Sequence, residues 1–408
     1  MLQPKSRPTE PTLMPPDMAA AERFARRPFF NTIDCLIVDD PTTVKFAGAI
    51  SRAEAEAVWV WLVRDLAPDL IDSDSDAEGP TAVAALQAVT PELLKRAAHV
   101  VLGADADRES ERRLRGQLGG SEVWQRLPVV LTALKCAPLL EKAQDFGRAV
   151  NALPDEAAIA TALQSMPWQD ADIASGLMMA TMGEVTNPTR IIVAATQIAG
   201  EATEGALLRA GLGPLVEALL ARAQNTIPPL LQAGAFTDMD LICRSIDRFH
   251  QLARALYGNV ELSRPGRWAP ILAALTTAVS DRLQPKLRDL VPDLNQSLRR
   301  QRDGADWLDG DSLLAALGGF YLLETVRECR DSLALNELFE ETWNRTGQSL
   351  EMHLTRNLDA LRDNPKDPIA AARVDGGIKM AELRFGAEYA QVIRQARDGV
   401  GQRPAASG

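Results

Sequence analysis

The segment TDMDLICRSIDRFHQLARALYGN, residues 237–259, has the most regular helical pattern in the chain. Its apolar side chains recur at spacings of three and four residues, which places them on one face of an α-helix. They are Met239, Ile242, Ile246, Phe249, Ala253 and Leu256. The opposite face is polar and includes Arg244 and Arg248. The pattern therefore predicts a helix with one packed face and one exposed face.

The ends of this helix and the environment of its apolar face follow from the same segment. Thr237 or Asp238 can cap its start, and Gly258 with Asn259 can close its end. We predict that the apolar face packs inside the chain. The spacing also suits an open groove or a self-association surface, so the candidate interaction residues include Phe249, Arg244 and Arg248.

Two prolines interrupt the helical pattern that follows, from Ile271 to Leu298. Pro285 and Pro292 each lack a backbone donor, and they lie about two turns apart on nearly the same face. We expect either one curved helix or two shorter ones.

Helical periodicity recurs almost everywhere after about residue 110, so strands, if present, are expected only before it. The sequence predicts a predominantly all-α fold, either an irregular multi-helix bundle or an α-solenoid-like array. It leaves room for a small α/β element in the N-terminal region, where Ile33 to Val38 suits a strand or a buried helical turn. No repeat of fixed period supports a named solenoid family.

Composition changes along the chain suggest four regions. Residues 1–18 are rich in proline and are expected to form a disordered tail. We place an N-terminal helical domain, with α/β structure as the alternative, at 19–150. A C-terminal helical domain is expected at 151–398, and a second disordered tail at 399–408.

Local signals define two helices of the N-terminal region. Ser51 and Glu54 form a capping-box pair, and apolar residues follow at helical spacing. Trp61 falls on the second face of that helix, which favours a core position. The alternative makes Trp61 a surface anchor for a partner, so it joins the candidate interaction residues. Thr90 and Pro91 are expected to open a further helix.

Composition narrows the classes of partner. The 408 residues carry a net charge of −11 with a pI near 5.0, which disfavours general binding to nucleic acids or anionic membranes. The chain contains no run of about 18 apolar residues, so no membrane span is predicted. Its N-terminus lacks the pattern of a signal peptide. The four cysteines show no ligand spacing, so we expect reduced thiols and a cytoplasmic location.

The string ADADRESE, residues 104–111, resembles the Asp-x-Asp-Arg-Glu-x-Glu segment of Toprim domains, which occur in topoisomerases and primases. The resemblance implies that Asp105 and Asp107 are magnesium ligands for phosphoryl transfer, with Asp39 as the acidic residue after an upstream strand. The family has glutamate at that upstream position. Such a site would require Ile33 to Val38 and His99 to Leu102 to form adjacent parallel strands.

The same string also has a structural interpretation. Glu109 with Arg113, and Glu111 with Arg115, are spaced four residues apart, which is typical of an exposed helix stabilised by charge pairs. We favour this interpretation over the metal site.

The three histidines lie in helical windows without a second histidine at ligand spacing, and His250 is expected to be a hydrogen-bonded residue at the edge of its helix face. No nucleophile motif or phosphate-binding loop is found. We therefore expect a non-enzymatic cytoplasmic helical scaffold or adaptor that binds other protein chains, with self-association as a further option and no cofactor. The alternative is a divalent-metal-dependent, Toprim-like phosphoryl-transfer enzyme using Asp39, Asp105 and Asp107.

Overall fold

Helices make up most of the regular structure of this protein. The computed structural model describes residues 28–39, 44–71, 80–166, 171–232, 238–300 and 307–401. It is 81% helical, and its described residues form 17 α-helices and two short strands. The predominantly all-α fold predicted from the sequence is confirmed.

The chain folds into two compact units. Described residues of the first unit come from 28–150 and 171–185, and those of the second come from 151–166 and 186–401. The first unit is therefore built from two separate parts of the sequence. Of the predicted tails, 1–18 and 402–408 lie outside the described residues, whereas 399–401 form a 3₁₀ turn rather than a disordered end.

The first half of the chain supplies eight helices. They are α1 (Pro28–Ile33), α2 (Arg52–Trp61), α3 (Pro80–Ala106), α4 (Arg108–Gln117), α5 (Ser121–Lys135), α6 (Ala137–Val150), α7 (Glu156–Gln164) and α8 (Ala171–Glu184). All except α7 belong to the first unit. A 3₁₀ turn (Asp34–Leu36) leads into strand β1 (Ile37–Val38), which pairs in parallel with β2 (Ile50–Ser51).

The segment 33–38 thus contains both of the structures that its sequence allowed. Ile33 ends a helix, and Ile37 pairs with Ile50. The predicted capping box at the start of α2 is confirmed, because Glu54 N–H donates to Ser51 Oγ at 3.2 Å and Ser51 N–H donates to Glu54 Oε2 at 2.9 Å.

The helix expected to begin at Thr90 in fact begins at Pro80 and continues through Pro91 as α3. Pro91 removes the helical donor of the Gln87 carbonyl, but both residues are exposed, so water can replace it. Thr90 Oγ1 also donates to the Leu86 carbonyl at 2.7 Å. Burial of Leu86 and Leu93 on either side of Pro91 favours one continuous helix.

The second unit contains α7 and all later helices. These are α9 (Pro188–Ala199), α10 (Glu204–Arg209), α11 (Gly213–Gln224), α12 (Met239–Asn259), α13 (Trp268–Leu298), α14 (Gly310–Cys329), α15 (Asn336–Asp363), α16 (Pro368–Phe385) and α17 (Ala387–Asp398). Helix α13 packs against α14 and α15, while α16 packs against α15 and α17. A 3₁₀ turn (Pro228–Leu231) lies between α11 and α12.

Helix α12 is the amphipathic helix predicted from residues 237–259. Asp238 caps it by accepting a hydrogen bond from Leu241 N–H at 3.0 Å. Its predicted apolar face is buried from Ile242 to Leu256, and only Met239 at its start is partly exposed. The face therefore contributes to the core of the second unit.

Helix α13 is one helix of 31 residues that contains both Pro285 and Pro292. Both prolines are exposed, so the backbone carbonyls that lose a donor can be hydrated. Its opposite face is buried continuously from Leu272 to Leu298. Packing of that face favours a single helix despite the two interruptions.

No helix within the described residues combines the length and the apolar character that crossing a membrane requires.

Candidate functional site

The two aromatic candidates for an interaction surface lie in the interior. Trp61 is 1% exposed and Phe249 is 0% exposed, so neither side chain can contact a partner in this structure. The alternative interpretation, which placed these two side chains at a surface, is therefore wrong. Both are core residues. Arg244 is exposed and pairs with Asp240 at 2.6 Å, and Arg248 is exposed on the same helix.

The three aspartates of the Toprim resemblance have other local roles. Asp39 is exposed and accepts a hydrogen bond from Arg52 Nε at 2.7 Å. Asp105 lies near the end of α3, and Asp107 caps α4 by accepting from Ser110 N–H at 2.9 Å. Hydrogen bonds from the Ser110 backbone and hydroxyl lower the pKa of Asp107.

The sheet that a Toprim-like site requires does not form from these segments. His99 to Leu102 lie inside α3, and β1 pairs instead with Ile50–Ser51. The charged-helix interpretation is confirmed, because Glu111 and Arg115 pair at 2.6 Å in α4, and Glu109 and Arg113 approach to 4.0 Å. Within the described ranges, no group of three or more His, Cys, Asp or Glu side chains is arranged to hold a metal ion.

A cavity of about 590 Å³ opens on the second unit, and we call it the α13–α14 groove. It lies among the 3₁₀ turn before α12, the first residue of α12, the middle of α13 and the first half of α14. Its lining residues are Leu230, Leu231, Gln232, Met239, Asp281, Arg282, Pro285, Lys286, Asp289, Leu290, Asp293, Leu314, Ala315, Leu317, Gly318, Gly319, Tyr321 and Leu322.

Apolar side chains at this groove are unusually exposed. Leu231 is 55% exposed, Leu314 63% and Tyr321 52%. Leu314 and Tyr321 are seven residues apart, which places them two turns apart on one face of α14. Exposed apolar side chains that gather at one groove and are bordered by polar residues also occur at interaction sites.

Two adjacent glycines shape the wall of the groove that α14 supplies. A Cβ atom at Gly318 would lie 3.4 Å from Cε of Met239, and one at Gly319 would overlap the end of the Leu290 side chain. The neighbours of both glycines are side chains of α12 and α13. Because Gly318 and Gly319 have no side chains, α12 and α13 pack closely against α14.

The α13 wall carries a row of carboxylates. Asp281, Asp289 and Asp293 are spaced by multiples of four residues, so they follow one ridge of the helix. None of the three forms an ion pair with another residue in the described part of the chain. Burial, followed by the nearby charge of Asp289, raises the pKa of Asp293.

Arg282 and Lys286 are the cations of the same wall. Lys286 Nζ donates to the backbone carbonyl of Gln232, and burial lowers the pKa of its ammonium group. Lys286 thus ties α13 to the end of the 3₁₀ turn. Pro285 cannot donate to the Asp281 carbonyl, so this carbonyl also lacks its usual helical partner at the groove.

This groove has no clear signature in the sequence. Its walls come from positions near 230, 239, 285 and 318, which only the fold brings together. The available signals were the Gly318–Gly319 pair within a helical pattern and the four-residue spacing of the carboxylates.

Comparison with protein-family models, with curated proteins and with solved structures finds no match to this chain. The functional proposal therefore rests on the structure of the chain itself.

Proposed function

We propose that this chain is a non-enzymatic helical adaptor of the cytoplasm, and that it binds a helical segment of another protein chain in the α13–α14 groove. The observation that carries the proposal is the exposure of three large apolar side chains around one groove, at Leu231, Leu314 and Tyr321. Covering them with a partner would remove apolar area from water, which is the main favourable term in protein association.

The shape of the groove favours a helix as the occupant. From Asp281 to Asp293 the α13 wall extends over about 18 Å, given a rise of about 1.5 Å per residue, which is the length of about three helical turns. An amphipathic helix placed in a groove is a recurrent mode of recognition, with anchors at helical spacing. Leu314 and Tyr321 are positioned to receive such anchors.

The lining chemistry supports binding over catalysis. Among the described residues that line the groove there is no histidine, cysteine, serine or threonine. Histidine is the commonest general base, and cysteine, serine and threonine are common nucleophiles, so the groove keeps only its aspartates, Lys286 and Tyr321 as groups able to act in proton transfer. Three of the lining side chains, at Leu231, Leu314 and Tyr321, are themselves largely exposed, which suits a polypeptide better than an enclosed small molecule.

The state of the cysteines supports the cytoplasmic part of the proposal. All four cysteines lie in the described part of the chain, and none of them forms a disulfide. Burial is the main cause that raises the pKa of Cys35 and of Cys329 to about 12. Reduced, buried thiols are typical of proteins in a reducing compartment.

Site-specific photo-crosslinking in the source cells tests the proposal. A photoreactive amino acid replaces Leu314 or Tyr321 in the full-length chain, and a control replaces Leu102, which is 67% exposed on α3. We expect protein adducts from positions 314 and 321 and none from position 102. Adding Leu314→Glu to the chain that carries the probe at 321 should remove the adduct, because a charge would then border the apolar anchor.

Two outcomes would overturn this proposal. The first is that positions 314 and 321 yield no more protein adduct than position 102. The second is an adduct formed only between two copies of this chain, which would assign the groove to self-association.

A further inference from the structure

We infer that the helix bound in the α13–α14 groove is amphipathic and carries a basic polar face. This inference rests on the proposed function and adds the chemistry of the partner. Lysine or arginine side chains of the partner would face Asp281, Asp289 and Asp293, while its apolar face would cover Leu314 and Tyr321.

The first reason is that none of these carboxylates forms an ion pair within the described residues, whereas two acidic residues on the neighbouring helices do. Asp240 pairs with Arg244 four residues later on α12, and Glu324 pairs with Arg327 on α14. On α13, Asp289 and Asp293 instead place like charges four residues apart, which is unfavourable in an isolated helix. A cationic partner would relieve this repulsion.

The second reason is the balance of charge in the groove. Three carboxylates face two cations, and one of these cations, Lys286, already donates to the Gln232 carbonyl. The whole chain carries a net charge of −11, so its long-range field also attracts a basic segment. Complementary charge of this kind increases specificity and association rate.

The third reason is that the carboxylates and the exposed apolar side chains of α14 occupy different walls. Helix α13 supplies the carboxylates, and α14 supplies Leu314 and Tyr321. A helix lying between them can satisfy both walls only when its basic side chains turn toward α13 and its apolar side chains toward α14. The groove therefore selects a helix with two distinct faces.

Binding of synthetic peptides to the full-length chain tests this inference. The probes are two fluorescently labelled amphipathic peptides of about 18 residues, or five turns, with the same leucine face and with a polar face of lysine or of glutamate. Fluorescence anisotropy should show that the lysine peptide binds at least about tenfold more tightly. Added salt should reduce this preference, since it screens exposed charges.

Matched variants separate the groove from the general acidity of the chain. Asp289→Asn with Asp293→Asn removes two groove charges, and Glu337→Gln with Glu388→Gln removes two exposed charges elsewhere on the second unit. We expect the groove pair to weaken binding of the lysine peptide by about threefold or more, and the control pair to weaken it by less than about twofold. Leu314→Ser should weaken binding of both peptides.

Equal binding of the two peptides would overturn the inference, and so would equal effects of the two variant pairs. If neither peptide binds while photo-crosslinking at 314 and 321 still yields an adduct with another protein, the basic face is wrong and the adaptor function stands. Failure of both experiments would reject both proposals.

Discussion

At the scale of single residues, Phe249 and Tyr257 differ in environment on the same helix. Phe249 is 0% exposed on the packed face of α12, whereas Tyr257 is 51% exposed. Phe249→Ala should lower the free energy of unfolding by about 3–5 kcal/mol, through lost burial and the cavity that remains. Chemical denaturation of the wild type and of Phe249→Ala measures this loss.

Tyr257→Ala is the matched control and should change the free energy of unfolding by no more than about 0.5 kcal/mol. A similar loss for both variants would contradict the core assignment of Phe249. A Phe249→Ala chain that melts normally but loses an oligomer seen for the wild type would show that the face is an interface.

His353 belongs to a polar network between α13 and α15. Its Nε2 lies 2.9 Å from Asn295 Oδ1, and Asn357 Nδ2 donates to the carbonyls of Leu298 and His353. Because Asn295 Oδ1 is an acceptor, His353 Nε2 carries the proton. Burial, followed by the nearby charge of Arg356, lowers the pKa of His353 below its ordinary 6.5.

This lowered pKa makes stability depend on pH. The folded chain keeps His353 neutral, so the unfolded chain binds more protons once the pH falls below about 6.5. The stability that neutral His353 contributes is complete above about pH 6.5. It is lost progressively as the pH falls toward the pKa of His353 in the folded chain. Denaturation between about pH 7 and pH 5 should show a smaller decrease for His353→Gln than for the wild type. An equal decrease in stability for the wild type and His353→Gln would argue against this role of His353.

At the scale of elements, α6 and α8 pack closely because of a glycine. A Cβ atom at Gly147 would overlap the backbone carbonyl oxygen of Thr181. Gly48 approaches the Ser175 carbonyl of the same helix in the same way. A backbone atom cannot rotate away as the end of a side chain can, so these contacts fix the position of α8 in the first unit.

Gly147→Ala should therefore lower the free energy of unfolding although alanine is the better helix former. Overpacking costs about 1–3 kcal/mol, and the higher helix propensity offsets up to about 1 kcal/mol of it. Gly183→Ala on α8 is the control, because a Cβ atom there meets nothing within 4 Å. It should be neutral or stabilising, and a loss of stability equal to that of Gly147→Ala would refute the packing explanation.

At the scale of the whole molecule, helix content is the property most directly measured. The fold is 81% helical, with strands of two residues each in the described part. Far-UV circular dichroism should show the double minimum of an α-helical protein with little contribution from sheet. A spectrum with substantial sheet content would contradict this architecture.

Local sequence patterns were enough to predict the structures whose interactions lie within one helix. The spacing of apolar residues and the Asp238 cap defined α12, and the Ser51–Glu54 capping box defined the start of α2. The charge pairs of α4 were equally local. These features could be predicted because hydrogen bonds and side-chain contacts three or four residues apart do not depend on distant parts of the chain.

What covers each helix face depended on packing between distant parts of the chain. This packing buried Trp61 and Phe249, carried α3 through Pro91, and placed His99 to Leu102 in a helix rather than a strand. It also brought distant segments together as the α13–α14 groove. A local pattern shows which face is apolar, but the free energy that selects a structure comes from burial against a neighbour that the pattern does not specify.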